Sequence, residues 1–265
     1  MVEKLVNYLP NYLAHTKENN QQLQNEMERL SHSFVLSEPE ISHIRDLKSE
    51  LSAQEEVVLT ALEDAAEMKK PFSLVKEELE SIQARLREIE DEQVELGEQL
   101  DKIEKDDANA RQKVTIYANK LHTIKRFMEK RNLPGIPESF LTIFFGASDY
   151  IEELARELEA PRVNIDSVNR WLEILANAMN DLEEETYRIV QNSTLTEQLL
   201  QYSNRYRSFD DNVQAAFNES LHAFEVEFDY AKSLEIISKA LDVVEPGVSA
   251  RFINSYEKTR ENIRF

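Results

Sequence analysis

The sequence contains no cysteine, and that one absence removes disulfides, thiol nucleophiles and thiolate metal sites, while fitting a reducing compartment. Glycine is nearly as scarce. Four glycines in 265 residues, against about 7% in ordinary chains, leave few positions for left-handed turns, phosphate loops or tight hairpins. Sheet folds and glycine-rich nucleotide cradles are therefore disfavoured. Long hydrophobic runs are missing too: stretches such as Phe140 to Gly146 fall far short of the ~20 residues needed to span a bilayer. Positive charge is in deficit, with 31 Lys and Arg against 51 Asp and Glu and a net charge of -20. Such a surface repels nucleic-acid phosphates and anionic headgroups, so no nucleic-acid partner is expected. Five scattered histidines make no metal cluster, and neither metal nor cofactor is expected.

What remains is a chain with 41% hydrophobic and 31% charged residues, the balance of long helices with much surface per core residue. Seven prolines punctuate it. The breaks at Pro39, Pro71, Pro134-Gly135-Ile136-Pro137, Pro161 and Pro246-Gly247 predict helices over 2–33, 39–68, 73–131, 138–159, 164–208, 211–226, 228–244 and 248–262. Ser37 with Glu40 reads as a capping box, and Ser73 as the cap of the third helix. Pro10 lies inside the first span, where it can kink the helix. The helical pattern begins almost at Met1 with no signal peptide, which reads as a piece of a longer protein.

The third span carries the clearest pattern. Steps of four and three from Val75 reach Leu79, Ile82, Leu86, Ile89, Gln93, Leu96, Leu100, Ile103, Asp107, Ala110, Val114, Tyr117, Leu121, Ile124 and Met128, of which all but Gln93 and Asp107 are apolar. This is a coiled-coil seam. At ~1.5 Å per residue this helix runs ~90 Å, about twice the reach of the two before it, so its second half needs other partners. The helix at 138–159 and the seam Ile165, Val168, Leu172, Leu175, Met179, Leu182 and Ile189 supply them. The expected fold is all-α, an elongated array of spectrin-like antiparallel three-helix bundles sharing long linking helices. Bundles are expected at 2–104, 105–187 and 188–262. The last holds Ala216, Leu221, Phe224, Tyr230, Ala231, Ile237, Ala240 and Pro246, a hairpin faintly like a tetratricopeptide unit that ordinary bundle packing explains better.

Charge along the third helix is uneven: residues 77–107 carry 13 acids and 4 bases, and residues 111–131 carry 7 bases and 1 acid. The bases Arg111, Lys113, Lys120, Lys125, Arg126, Lys130 and Arg131 read either as a docking patch or as a solvated face balancing acidic neighbours, with the second favoured. Gly97, beside the seam, marks a bend or a tolerated exposed position, again with the second favoured. No nucleotide, zinc-protease, nucleophile-elbow or EF-hand pattern occurs, and runs such as Glu183-Glu184-Glu185 lie on a solvated helix. No catalytic residue is assigned and no enzyme is expected. Trp171, one position before Leu172, reads as cover for a bundle edge.

One segment differs in chemistry: Gln201-Tyr202-Ser203-Asn204-Arg205-Tyr206-Arg207-Ser208. Leu195, Leu199, Tyr202, Tyr206 and Phe209 continue the four-and-three spacing and read as buried seam. Gln201, Asn204, Arg205 and Ser208 then share the adjacent face. Amides and a guanidinium make directional hydrogen bonds to a peptide or a carboxylate at a low desolvation cost. Composition leaves two readings, a binding face or a buried polar network between helices, with the second favoured.

The stretch Gln201 to Arg207, with Ala240-Leu-Asp-Val-Val-Glu-Pro-Gly247, Leu23 to Pro39 and Arg131-Asn-Leu-Pro-Gly-Ile-Pro137, resembles the C-terminal part of the EzrA family of septation ring formation regulators. The seven residues match what is called the QNR patch in that family. The resemblance implies a bitopic protein with a short N-terminal membrane anchor, not found in this sequence, and a cytoplasmic array of spectrin-like repeats at the division septum. It implies binding to the tubulin-like protein FtsZ, restriction of Z-ring assembly to mid-cell, and links to penicillin-binding proteins and other division proteins. Weak homo-oligomerisation is compatible with it. By that resemblance Gln201, Tyr202, Ser203, Asn204, Arg205, Tyr206 and Arg207 form the partner-binding patch, led by Gln201, Asn204 and Arg205. The competing reading is a structural spacer without direct FtsZ contact.

Overall fold

The computed structural model describes residues 2–67 and 69–259, and it is helical almost throughout. Eight α-helices follow in order among those residues: α1 (Val2–Ser31), α2 (Glu38–Ala66), α3 (Phe72–Lys130), α4 (Glu138–Leu158), α5 (Ile165–Ser203), α6 (Asp211–His222), α7 (Tyr230–Val244) and α8 (Val248–Thr259). A π-helical turn, Ala223–Glu227, joins α6 to α7. The predicted end of the last helix, at 262, lies outside the described residues. The chain divides into two compact units, Met1–Arg111 with Arg156–Asn169, and Gln112–Ala155 with Arg170–Phe265.

In the first unit α1, α2 and the first half of α3 form an antiparallel three-helix bundle. Lys17 pairs with Glu55 and Lys48 donates to Gln24, so α1 and α2 run in opposite directions. The ion pairs Arg85–Glu50 and His43–Glu92 set α3 antiparallel to α2. Tyr12 bonding Glu90 and Arg29 pairing with Glu104 then place α3 parallel to α1. The driving force is the seam: Val75, Leu79, Ile82, Leu86, Ile89, Leu96 and Leu100 are all buried against Leu9, Leu13, Leu30, Ile44, Leu47 and Leu51 or their neighbours. Each such side chain contributes roughly 1.5–3 kcal/mol on leaving water, against the backbone entropy of ordering it.

Gln93, the polar interruption in the seam, is buried and donates to the Thr16 carbonyl at 3.0 Å. Asn20 and Gln24, on the next two turns of α1, are buried as well. The linker after α1 is tied to the linker before α5 by an isolated parallel bridge between Phe34 and Val163, with Val35 N–H to Val163 O at 2.9 Å and Val163 N–H to Ser33 O at 2.8 Å.

In the second unit the later part of α3 packs with α4 and α5. Lys120 pairs with Glu183, Ser139 Oγ donates to Glu185 at 2.7 Å, and the Tyr150 and Trp171 rings lie 5.9 Å apart. Trp171 is half-buried, in keeping with its reading as edge cover. Leu172, Leu175, Met179, Leu182 and Ile189 of the predicted α5 seam are buried, as are Leu121, Ile124 and Met128 on α3, while Val114 and Tyr117 are half-buried; Ile165 and Val168, also buried, belong to the first unit. The helices α6, α7 and α8 close the unit around Leu199, Leu200, Val213, Ile237, Leu241 and Val248. Here α6 and α7 approach closely because two buried serines meet: Ser220 Oγ reaches Ser233 O at 2.9 Å and Ser233 Oγ reaches Ser220 O at 2.7 Å.

Several local expectations are corrected. Ser37 occupies the N-cap of α2, but its hydroxyl makes no capping bond; Pro39 sits in the first turn and has no N–H to offer. Ser73 lies inside α3, whose first intrahelical carbonyl is that of Pro71, bonded by the Leu74 and Val75 amides. Pro10 lies inside α1, as expected, and the helix continues through it to Ser31. Gly97 is half-buried, with Leu23 Cδ2 3.7 Å from where its Cβ would lie. Helical pattern alone carried the sixth predicted helix to 226 and began the seventh at 228. Phe228, at φ 55, adopts the left-handed region and separates them, with Asp229 N–H bonding the Ala223 carbonyl.

Candidate partner-binding surface at the end of α5

α5 was expected to run to 208 and stops at Ser203 instead, in the middle of the seven-residue segment. Past that point the backbone tightens: Arg205 N–H bonds Tyr202 O at 3.2 Å and Tyr206 N–H bonds Ser203 O at 2.9 Å, one residue closer in sequence than an α-helix allows. The Ser203 hydroxyl, fully buried, donates to Leu200 O at 2.7 Å and competes for a carbonyl of the last turn. Asp210 then caps α6, accepting from the Asn212 and Val213 amides at 2.9 and 3.1 Å. The segment is thus pinned at both ends.

From below it is held by an unforeseen partner. Tyr202 and Tyr206 both donate their phenol hydroxyls to Glu245 Oε2, each at 2.6 Å, while Arg251 pairs with the other carboxylate oxygen. Glu245 sits between α7 and α8, where Gly247 at φ 82 turns the chain in a conformation other residues adopt only with strain. The two phenol donors, with Arg251 beside them, hold the Glu245 carboxyl down to about 2 from 4.5. The same bond pushes the Tyr206 phenol up to about 12, because ionising it would set two negative charges together. Tyr202 also meets the Phe252 ring edge-on at 5.3 Å, joining α8 to the clasp.

The seven residues separate into two groups. Ser203 is inside, and Tyr202, Tyr206 and Arg207 are half-buried. Arg207 lies 4.0 Å over the Phe217 ring and donates to Gln214 Oε1 at 3.1 Å and Asn204 Oδ1 at 2.9 Å. Gln201, Asn204 and Arg205, with Ser208, are exposed. The three leading residues therefore form a surface and not a buried polar network. Arg205 sits 4.5 Å over the Tyr202 ring and forms no ion pair with any described residue. Phe209, expected in the buried seam, is 74% exposed, because the register that would have buried it ends with α5. Sequence reasoning also missed Glu245 and Arg251 as partners of the segment; an acid directly before Pro-Gly, after the amphipathic α7, was the available signal.

The bases at 111–131 are divided in role. Arg111 pairs with Asp107 and bonds the Leu158 carbonyl, Lys120 pairs with Glu183, and Arg131 lies 4.7 Å over the Phe127 ring. Lys113, Lys125, Arg126 and Lys130 are exposed. Among the described residues no group of three or more His, Asp or Glu could hold a metal ion, and no helix is long and apolar enough to cross a membrane.

The family model described as "Septation ring formation regulator, EzrA" matches residues 1–256. The chain belongs to the EzrA family. Among its relatives are the septation ring formation regulators EzrA of Streptococcus sanguinis strain SK36, 74% identical over all 265 residues, and of Streptococcus gordonii, 66% identical over the same span. The protein of that name from Streptococcus pneumoniae strain Hungary19A-6 is 55% identical. In each case the whole of this chain covers 46% of the relative, so it spans about half the length of these family members. No solved structure matches it significantly. The family match takes in the end of α5 and the α6–α8 packing beneath it, the region where the resemblance had placed the patch.

Proposed function

We propose that this chain provides a partner-binding surface of a non-enzymatic regulator of bacterial cell division, which engages FtsZ and limits Z-ring assembly to mid-cell. In the whole protein it acts on the cytoplasmic side of the membrane at the septum, tethered by the family's N-terminal anchor, and connects the ring to penicillin-binding proteins and other division proteins. Membership of the EzrA family supports the reading. The observation that carries it to particular residues is the exposure of Gln201, Asn204 and Arg205 on a segment that Tyr202, Tyr206 and Glu245 clamp from the other side. A preorganised polar surface loses little conformational entropy on binding.

The test is co-sedimentation with polymerising FtsZ of the native chain and of Gln201→Ala/Asn204→Ala/Arg205→Ala, after circular dichroism shows equal helicity. The native chain is expected to pellet with the filaments and the triple variant to bind about ten-fold more weakly, the loss of a hot-spot cluster. Equal pelleting of both would remove the patch from the FtsZ contact and favour the spacer reading.

A further inference from the structure

Phe209 lies outside the seven-residue segment, yet its backbone is tied to that segment. Its amide bonds Tyr206 O at 3.0 Å, and the next residue, Asp210, bonds the same carbonyl and caps α6. Its ring meets Tyr206 edge-on at 6.0 Å, Tyr206 lies 6.1 Å from Tyr202, and Tyr202 carries the Arg205 guanidinium on its face. Arg205, Tyr202, Tyr206 and Phe209 thus make one continuous array. Its two middle members are fixed to Glu245, and its two ends, a cation and a phenyl ring, are turned to water.

Both ends are free to meet a partner. A large exposed aromatic ring next to an arginine matches the residue types enriched at protein interfaces. Arg205 has no carboxylate partner among the described residues, although acids outnumber bases by 51 to 31. Its planar fork suits a carboxylate, and the amides of Gln201 and Asn204 suit a peptide backbone beside it.

We propose that the binding surface extends to Phe209 and that it takes a peptide segment carrying a carboxylate for Arg205 and an apolar side chain for Phe209. This rests on the reading of the patch as a partner surface. Phe209 supplies the apolar anchor, Arg205 the charge, and the amides fix the peptide's direction.

The experiment repeats the FtsZ co-sedimentation with Phe209→Ser, Phe209→Leu, Arg205→Gln and Arg205→Lys, all at exposed positions, after circular dichroism shows helicity equal to the native chain's. Val243→Ser serves as control, since Val243 is 83% exposed on α7. Phe209→Ser and Arg205→Gln are expected to weaken binding about ten-fold, Phe209→Leu to retain most of it, Arg205→Lys to fall between because it keeps the charge and loses the fork, and Val243→Ser to bind like the native chain. Native binding by Phe209→Ser, while the Gln201/Asn204/Arg205 triple variant fails, overturns the extension and leaves the patch reading intact. Native binding by Arg205→Gln overturns the carboxylate. Equal losses in Phe209→Ser and Val243→Ser show only a general loss of surface apolarity and also overturn the proposal. Failure of the native chain to pellet, or native binding by the triple variant, sinks the patch reading and this inference together.

Discussion

A methyl group added at Gly97 and one added at Gly135 meet opposite surroundings. At Gly97, in the α1–α2–α3 bundle, the nearest atom is Leu23 Cδ2 at 3.7 Å, an ordinary contact. At Gly135, in the turn between α3 and α4, the Phe228 ring lies across the position, with three of its carbons at 2.5–2.6 Å. Tyr230, two residues on, donates its hydroxyl to the Gly135 carbonyl at 2.7 Å. The first bundle is built of repeated, interchangeable contacts along a seam, so no single one decides its geometry. The second unit adds singular contacts to its seams: Phe228 on Gly135, Ser220 with Ser233, and Tyr202 and Tyr206 on Glu245. Repetition yields tolerance. Singular contacts yield one defined surface, which is what recognition needs.

The comparison can be broken most readily at Gly135. Gly135→Ala must displace a ring whose backbone is already left-handed, and it is expected to cost about 2 kcal/mol as overpacking, read from the midpoint of urea unfolding. Gly97→Ala is expected to move that midpoint the other way, stabilising by about 1 kcal/mol because alanine favours the helix and the methyl has room. A loss at both positions would erase the distinction between the regions.

The smallest effect is silent at neutral pH. Because the folded state depresses the Glu245 pKa from 4.5 to about 2, its stabilisation is fully present above pH 4.5 and is lost as the pH falls through that window. Acid titration of thermal stability should therefore fall more steeply between 4.5 and 2 for the native chain than for Glu245→Gln. Parallel profiles would mean that the clasp does not form.

The seams of α3 and α5 were legible because a period of 3.6 residues sustained over many turns has no other reading. Breaks at Pro39, Pro71, Pro134 and Pro246 were legible because proline acts through local sterics. The end of α5 was not. It depends on Glu245, some forty residues downstream, and on a serine hydroxyl whose choice of acceptor is settled by burial. Extending the four-and-three count past Ser203 is what misplaced Phe209 in the core. Phe228 gave no warning of its left-handed backbone, since glycine would be the usual sign and a phenylalanine is held there by packing on Gly135. Composition singled out Gln201, Asn204 and Arg205 as unusual but left open whether they faced solvent; the inward clasp of the two tyrosines decides it.

The segment at 201–207 is divided between residues that hold it and, on the proposed reading, residues that meet a partner. Thermal melting of two variants tests it directly. Tyr202→Phe/Tyr206→Phe is expected to melt below the native chain, having lost both phenol bonds to Glu245, while Gln201→Ala/Asn204→Ala/Arg205→Ala melts with it. A native melting temperature for the tyrosine variant together with a lowered one for the triple variant would contradict it, placing the exposed residues among the supports of the fold.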